Sequence, residues 1–289
     1  MAAEAPVRVD DDGDLKLVIG SDRREFIVCS RSLSRASRVF KRMLYGGFRE
    51  SRLDLKSSEP WVVDLPEDDP KAAELLLCIT HARFDSVPAT LPLAELHDVL
   101  VFSEKYDMTK SIRPWAQAWI PPRSVLRESP DYGTVIGVAW ELGAEDVLAH
   151  VVKRLVVDCG VDADGQLVDA NREPIEKTAM PLIPYRLFEN VADKRLVLLN
   201  EIFRRLRTII SNLQSLIPTT ATHVNHLVQA IIGIRVVYIV ESHRQCNPIP
   251  ELLKEIEELL AHKNPLTAEH IAHLGAQREK LSVLVAEVN

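Results

Sequence analysis

DLKLVIGSDRREFIVCSRSLSRASRVFKRMLY, residues Asp14–Tyr45, changes its hydrophobic period halfway along. Leu15, Leu17, Val18 and Ile19 form an apolar run broken once by Lys16, and Gly20-Ser21-Asp22 follows as a turn cluster. Glu25-Phe26-Ile27-Val28-Cys29 is again β-branched and aromatic, so the two runs predict a β-hairpin. The spacing then becomes helical. Leu33, Ala36, Ser37 and Phe40, followed by Met43 and Leu44, share one side of a helix, with Arg and Lys on the other. This strand–strand–helix unit contains no catalytic residue set. It predicts a unit that holds and presents a surface.

Further along, Phe48-Arg49-Glu50-Ser51 is a short connecting segment, and Trp61–Pro66 (WVVDLP) predicts a third strand. The acidic residues of PEDDP, Pro66–Pro70, suit the start of a helix over Lys71–His81. Phe84–Pro92 is a proline-containing loop. Leu93, Leu96, Val99, Leu100 and Tyr106 then recur at helical spacing, as do Ile112, Trp115, Ala116 and Trp119. Pro121-Pro122 stops the last helix and marks a domain boundary.

In order and spacing, these segments resemble the BTB/POZ domain over roughly Gly13–Ile120, most nearly its filamentous-fungal members. Asp14 stands at the family's opening Asp, Phe26 at its strand Phe, and Leu33, Ser37 and Phe40 at its helix positions; Cys29 occupies the place of a usual His. Cys29 is expected to pack in the core as a small apolar residue. The resemblance implies an α+β fold, a small sheet of short strands with a cluster of helices, here followed by an all-α C-terminal region. It implies binding of protein partners and no cofactor. Phe48, Arg49 and Glu50 match a hydrophobic-x-Glu segment that contributes to cullin binding in some members. An exposed apolar anchor beside a carboxylate suits such a contact. Self-association, which the family often performs through its N-terminal strand and first helix, would involve Val7, Val9, Val39 and Met43.

Bulk properties narrow the function classes. The chain has 289 residues, 46% hydrophobic, enough for one ordinary domain and a smaller second unit. A net charge of −7 and a pI near 5.8 argue against nucleic acid as the main partner. Cys29, Cys78, Cys159 and Cys246 form no CxxC pair and fit reduced thiols in an intracellular protein. The opening MAAEAPVRVDDDGD lacks the basic and apolar parts of a signal peptide. Leu227–Val240 (LVQAIIGIRVVYIV) is shorter than the ~20 residues of a membrane span and contains Gln229 and Arg235, so a buried core helix is expected.

The expected organisation is a mobile tail over 1–12, the BTB-like domain over 13–120, a helical and irregular connection over 121–190, and a helical bundle over 191–289. Ser129-Pro130-Asp131 caps a helix through Val135, Val138, Ala139 and Leu142; Asp146–Val157 is a second; Asp158–Pro184 is irregular. Leu199, Phe203, Leu206, Ile210, Leu213 and Ile217 have heptad spacing, widened by Ile202, Ile209 and Leu216. Leu252–Leu260 and Ile271–Val288 supply further amphipathic faces. His223/His226 and His270/His273 share i, i+3 spacing but lack a carboxylate in a metal-binding pattern, so no metal is expected. Asp162-Ala163-Asp164-Gly165 fails as a calcium loop, since Gly160 and Asn171 would fall at ligand positions. It reads as a turn. Arg204-Arg205-Leu206-Arg207 reads as a solvated face. No GxSxG, GxGxxG, P-loop or HExxH occurs, and the chain is expected not to be an enzyme. Three functions remain open: a self-associating assembly module, a substrate adapter of a cullin ubiquitin ligase, and a transcription-linked regulator. For the last, no zinc finger, basic helix or basic patch is evident.

Overall fold

The structure is a computed structural model. It describes residues 5–52, 60–120, 131–162, 164–169, 172–216 and 266–282, and is mixed α+β with a small sheet. The double proline, His223/His226, Leu227–Val240, Leu252–Leu260 and the residues after Ser282 lie outside the described residues. The chain divides into two units. One is Met1–Glu145 with Ala179–Ile183 and Ile271–Asn289; the other is Asp146–Thr178 with Pro184–His270. This division differs from the expected blocks, because the residues around Leu274 and Leu281 group with the first unit.

In the first unit, β2 (Leu15–Ile19) and β3 (Arg24–Val28) form the expected hairpin, pairing Leu15 with Val28 and Ile19 with Arg24. Gly20 makes the turn with φ +75°, and a side chain there would strike Pro70. The third strand, β4 (Val62–Leu65), lies parallel to β2. The tail expected over 1–12 enters the sheet: β1 (Val7–Arg8) runs parallel to β3, giving the order β1-β3-β2-β4. Val9 and Asp10 both donate their N–H groups to the Ile27 carbonyl, and Val9 is buried. An apolar Val-x-Val tail gains more from this cover than from solvent.

The single expected helix after β3 is two helices, α1 (Ser30–Ala36) and α2 (Arg38–Tyr45). Ser37 breaks it, with φ −133° and ψ 127°. Its hydroxyl accepts the Phe40 N–H at 2.9 Å, capping α2, and donates to the buried Tyr106 carbonyl at 2.5 Å. The helices α3 (Pro70–Thr80), α4 (Leu93–Lys105) and α5 (Arg113–Trp119) fall where expected. Asp69 caps α3 through the Ala72 N–H at 2.7 Å, with Pro70 at the first helical position. Phe26, Leu33 and Phe40 are fully buried, with Phe40 stacked on Tyr106 at 4.5 Å. Tyr106 donates to Asp68 at 2.6 Å; burial first, then this carboxylate, raises its phenol above the ordinary value. Helix α6 (Tyr132–Glu141), capped by Asp131, packs on α4.

Cys29 corrects an expectation. It is half-buried at the N-cap of α1, where its backbone N–H donates to His81 Nε2 at 2.9 Å. The ring's other nitrogen meets the Leu77 carbonyl at 2.8 Å. An imidazole from the end of α3 therefore serves this helix start.

The second unit contains most of α7 (Glu145–Asp158), a short hairpin of β5 (Gly160–Val161) and β6 (Leu167–Val168), α8 (Ile175–Ala179) and α9 (Leu187–Leu216). The segment expected to be irregular thus holds two strands and a short helix. Its Asp162 side chain accepts the Asp164 and Gln166 N–H groups, forming the expected turn. Helix α9 begins twelve residues before the Leu199 heptad start. Its buried face includes Val191, Leu198 and Ile202, whereas Phe203 of the expected stripe is exposed. Arg195 ties α9 to the Val156 and Val157 carbonyls at the end of α7. Arg204 and Arg205 both bind Glu201, whose carboxyl they pull down to about 2. No described helix is long and apolar enough to cross a membrane.

A candidate protein-docking surface

The corner after α2 carries two exposed aromatic residues, Tyr45 and Phe48. Gly46 ends α2, donating to Arg42 O, and a side chain there would strike that carbonyl and the Phe48 ring. Gly47 turns the chain with φ +79°, a left-handed conformation that favours glycine. Ser51 then fastens the loop. Its hydroxyl accepts the Gly47 and Phe48 N–H groups at 3.0 and 3.1 Å and donates to the Met43 carbonyl at 2.8 Å. The Trp61 indole donates to Glu50 O at 2.8 Å and joins the loop to the start of β4. Within this bracket Phe48 is 57% exposed, three residues after Tyr45 at 48%. Arg49 is exposed and Glu50 half-buried.

Tyr45 is held from beneath. Its ring meets Trp61 edge-on at 5.9 Å, and its hydroxyl lies 2.6 Å from Ser30 Oγ. Ser30 gives its only hydroxyl proton to Asp14, which also accepts the Ser30 N–H at 2.7 Å, so the phenol is the donor to Ser30. Asp14 thereby joins the start of β2, α1 and the corner after α2 through one carboxylate. A large apolar side chain left exposed on a fixed loop suits a partner contact.

The other expected residues separate. Val39 on α2 is 36% exposed and Met43 is half-buried against the core. Val7 and Val9 instead line a groove of about 530 Å³ between β1, α3 and α4, with Leu75 and Val99. Asp69, Glu74, Glu95 and Asp98 edge it, and burial, then Asp69, raises the Asp98 carboxyl. Cys78, in the same wall, has its thiol pushed up by burial first. His273 stacks on Trp140 at 3.6 Å, and His270 Nε2 lies 2.9 Å from Tyr185 O. Tyr45, Ser51 and Trp61 were not singled out as site residues. Local sequence does not show that the two aromatics meet across the loop.

No family model matches the chain, and no curated protein or solved structure is significantly similar to it.

Proposed function

We propose that the chain is a protein-interaction module of the BTB/POZ type, docking a partner protein at the corner after α2 that carries Tyr45 and Phe48. The observation that carries this reading is Phe48: 57% exposed, on a loop fixed by three hydrogen bonds to one serine hydroxyl. An unsupported surface phenylalanine contributes little; one held in place loses less entropy on binding. The resemblance supplies the partner class, a cullin scaffold, and exposed Phe48 beside Glu50 favours it over the other readings. The chain would then act as an adapter of a cullin ubiquitin ligase. Self-association rests on Val39 and Met43, since Val9 is covered within its own chain and Val7 is partly buried against the same core.

The test is titration of the purified full chain with a cullin N-terminal region. Phe48→Ala is expected to weaken binding about tenfold or more while leaving Tm unchanged. Binding that survives Phe48→Ala with Glu50→Ala, or no binding by the wild-type chain, would remove the cullin reading.

A further inference from the structure

We infer that the outer face of α1 and α2 is a second docking surface, one that takes an acidic polypeptide segment. The inference rests on the interaction-module reading and uses residues separate from Phe48. Ser30–Tyr45 carries Arg31, Arg35, Arg38, Lys41 and Arg42 and no carboxylate, in a chain whose net charge is −7. All five cations are exposed. Among the described residues only Arg38 pairs with a carboxylate, Asp107, at 3.8 Å. The sequence showed this as the polar side of one amphipathic helix; the break at Ser37 turns it into two adjacent basic helices.

This arrangement works against the helices that carry it. Arg31 and Arg35 are four residues apart on α1, and Arg38 stands three and four residues from Lys41 and Arg42 on α2. Like charges at these spacings repel across one helix face. Neither helix has an acidic residue in its first turn, and Arg38 occupies the first position of α2, the positive end of the dipole. Charges that cost local stability without a partner inside the chain point to a partner outside it. They also oppose a symmetric α2–α2 dimer, which would set the same cations against each other.

Val39 lies among these cations, exposed by 36%, and offers an aliphatic contact between them. A peptide with several carboxylates and one aliphatic side chain matches that pattern. Nucleic acid fits less well. Tyr45, the aromatic at the end of α2, is turned edge-on to Trp61 and bonded to Ser30, so it is no platform for bases. A membrane surface would call for aromatic anchors between the cations; the exposed apolar residue between them is Val39, and Tyr45 and Phe48 come after Arg42.

The probe is a fluorescent peptide of about a dozen residues, rich in Asp and Glu with one central Leu, titrated into the full chain by anisotropy. Binding is expected to weaken about tenfold between low salt and about 0.3 M, because exposed charges are screened. Arg31→Glu with Arg38→Glu is expected to weaken it about tenfold while Tm stays level or rises, since the like-charge pairs and the first-turn cations are removed. Phe48→Ala is expected to leave peptide binding unchanged, which separates this surface from the docking corner. Peptide affinity unaffected by the charge reversals would overturn the inference. So would tighter binding of a single-stranded RNA or of phosphatidylserine vesicles at the same salt.

Discussion

Ser37 shows how one side chain can change an element without disturbing the apolar period around it. Its spacing with Leu33 and Phe40 is equally that of a helix interior and of a helix cap, and period counting cannot separate the two. The structure resolves the choice through the Tyr106 carbonyl, a partner 69 residues away that local sequence does not reveal. Ser37→Ala removes the α2 cap and leaves that buried carbonyl unpaired, so a loss of about 2–3 kcal/mol in urea unfolding is expected. Glu141 makes a prediction of opposite sign. Burial first, then Glu104, pushes its carboxyl from 4.5 up to about 7, with Lys280 opposing, while Gln277 donates to it at 3.3 Å. The folded state holds this proton more tightly than the unfolded chain. The advantage is full below about pH 4.5 and is lost as pH rises through about 7. Glu141→Gln should therefore flatten the pH dependence, adding up to about 3 kcal/mol at pH 8 relative to wild type and nothing at pH 4. Unfolding curves at the two pH values measure it.

Among the elements, the hairpin, the third strand and α3–α5 were legible because both their period and their stop signals lie in the sequence. Pro70 after Asp69 is such a signal, and the structure uses it as cap and first turn. Elements whose evidence lies elsewhere in the chain were not. The strand β1 is two residues long and forms only because β3 offers an edge; Arg83 then donates to the Arg8 carbonyl at 2.7 Å. Deleting residues 1–10 should uncover β3 and lower stability by about 2 kcal/mol, mainly through Val9, as read by thermal unfolding. Helix α9 was placed too late because its first turns bury Leu187, Phe188 and Val191, and Arg195 interrupts that stripe at the edge where it binds α7. In the loop after α2, the exposure of Phe48 was legible through the resemblance. The fastening role of Ser51 was not, because it depends on three backbone groups brought together only by Gly47. Ser51→Ala should lower partner affinity several-fold with Phe48 still present, since ordering the loop then costs entropy on binding.

For the whole molecule, the acidic net charge spoke against a basic patch, yet five of the 35 cations are concentrated on two adjacent helices. An average over 289 residues conceals such asymmetry; its distribution along elements does not. The proposed account is of a module with two contacts of different chemistry, an aromatic corner at Phe48 and a cationic face on α1–α2. The corner is the central claim. A photoreactive phenylalanine analogue at exposed Arg49, next to Phe48 in the chain, tests it most directly in extracts of cells expressing the full chain. The account predicts a discrete cross-linked protein partner in the native background and its loss when Phe48→Ala is added. Cross-linking of that partner in equal yield with and without Phe48 would contradict it.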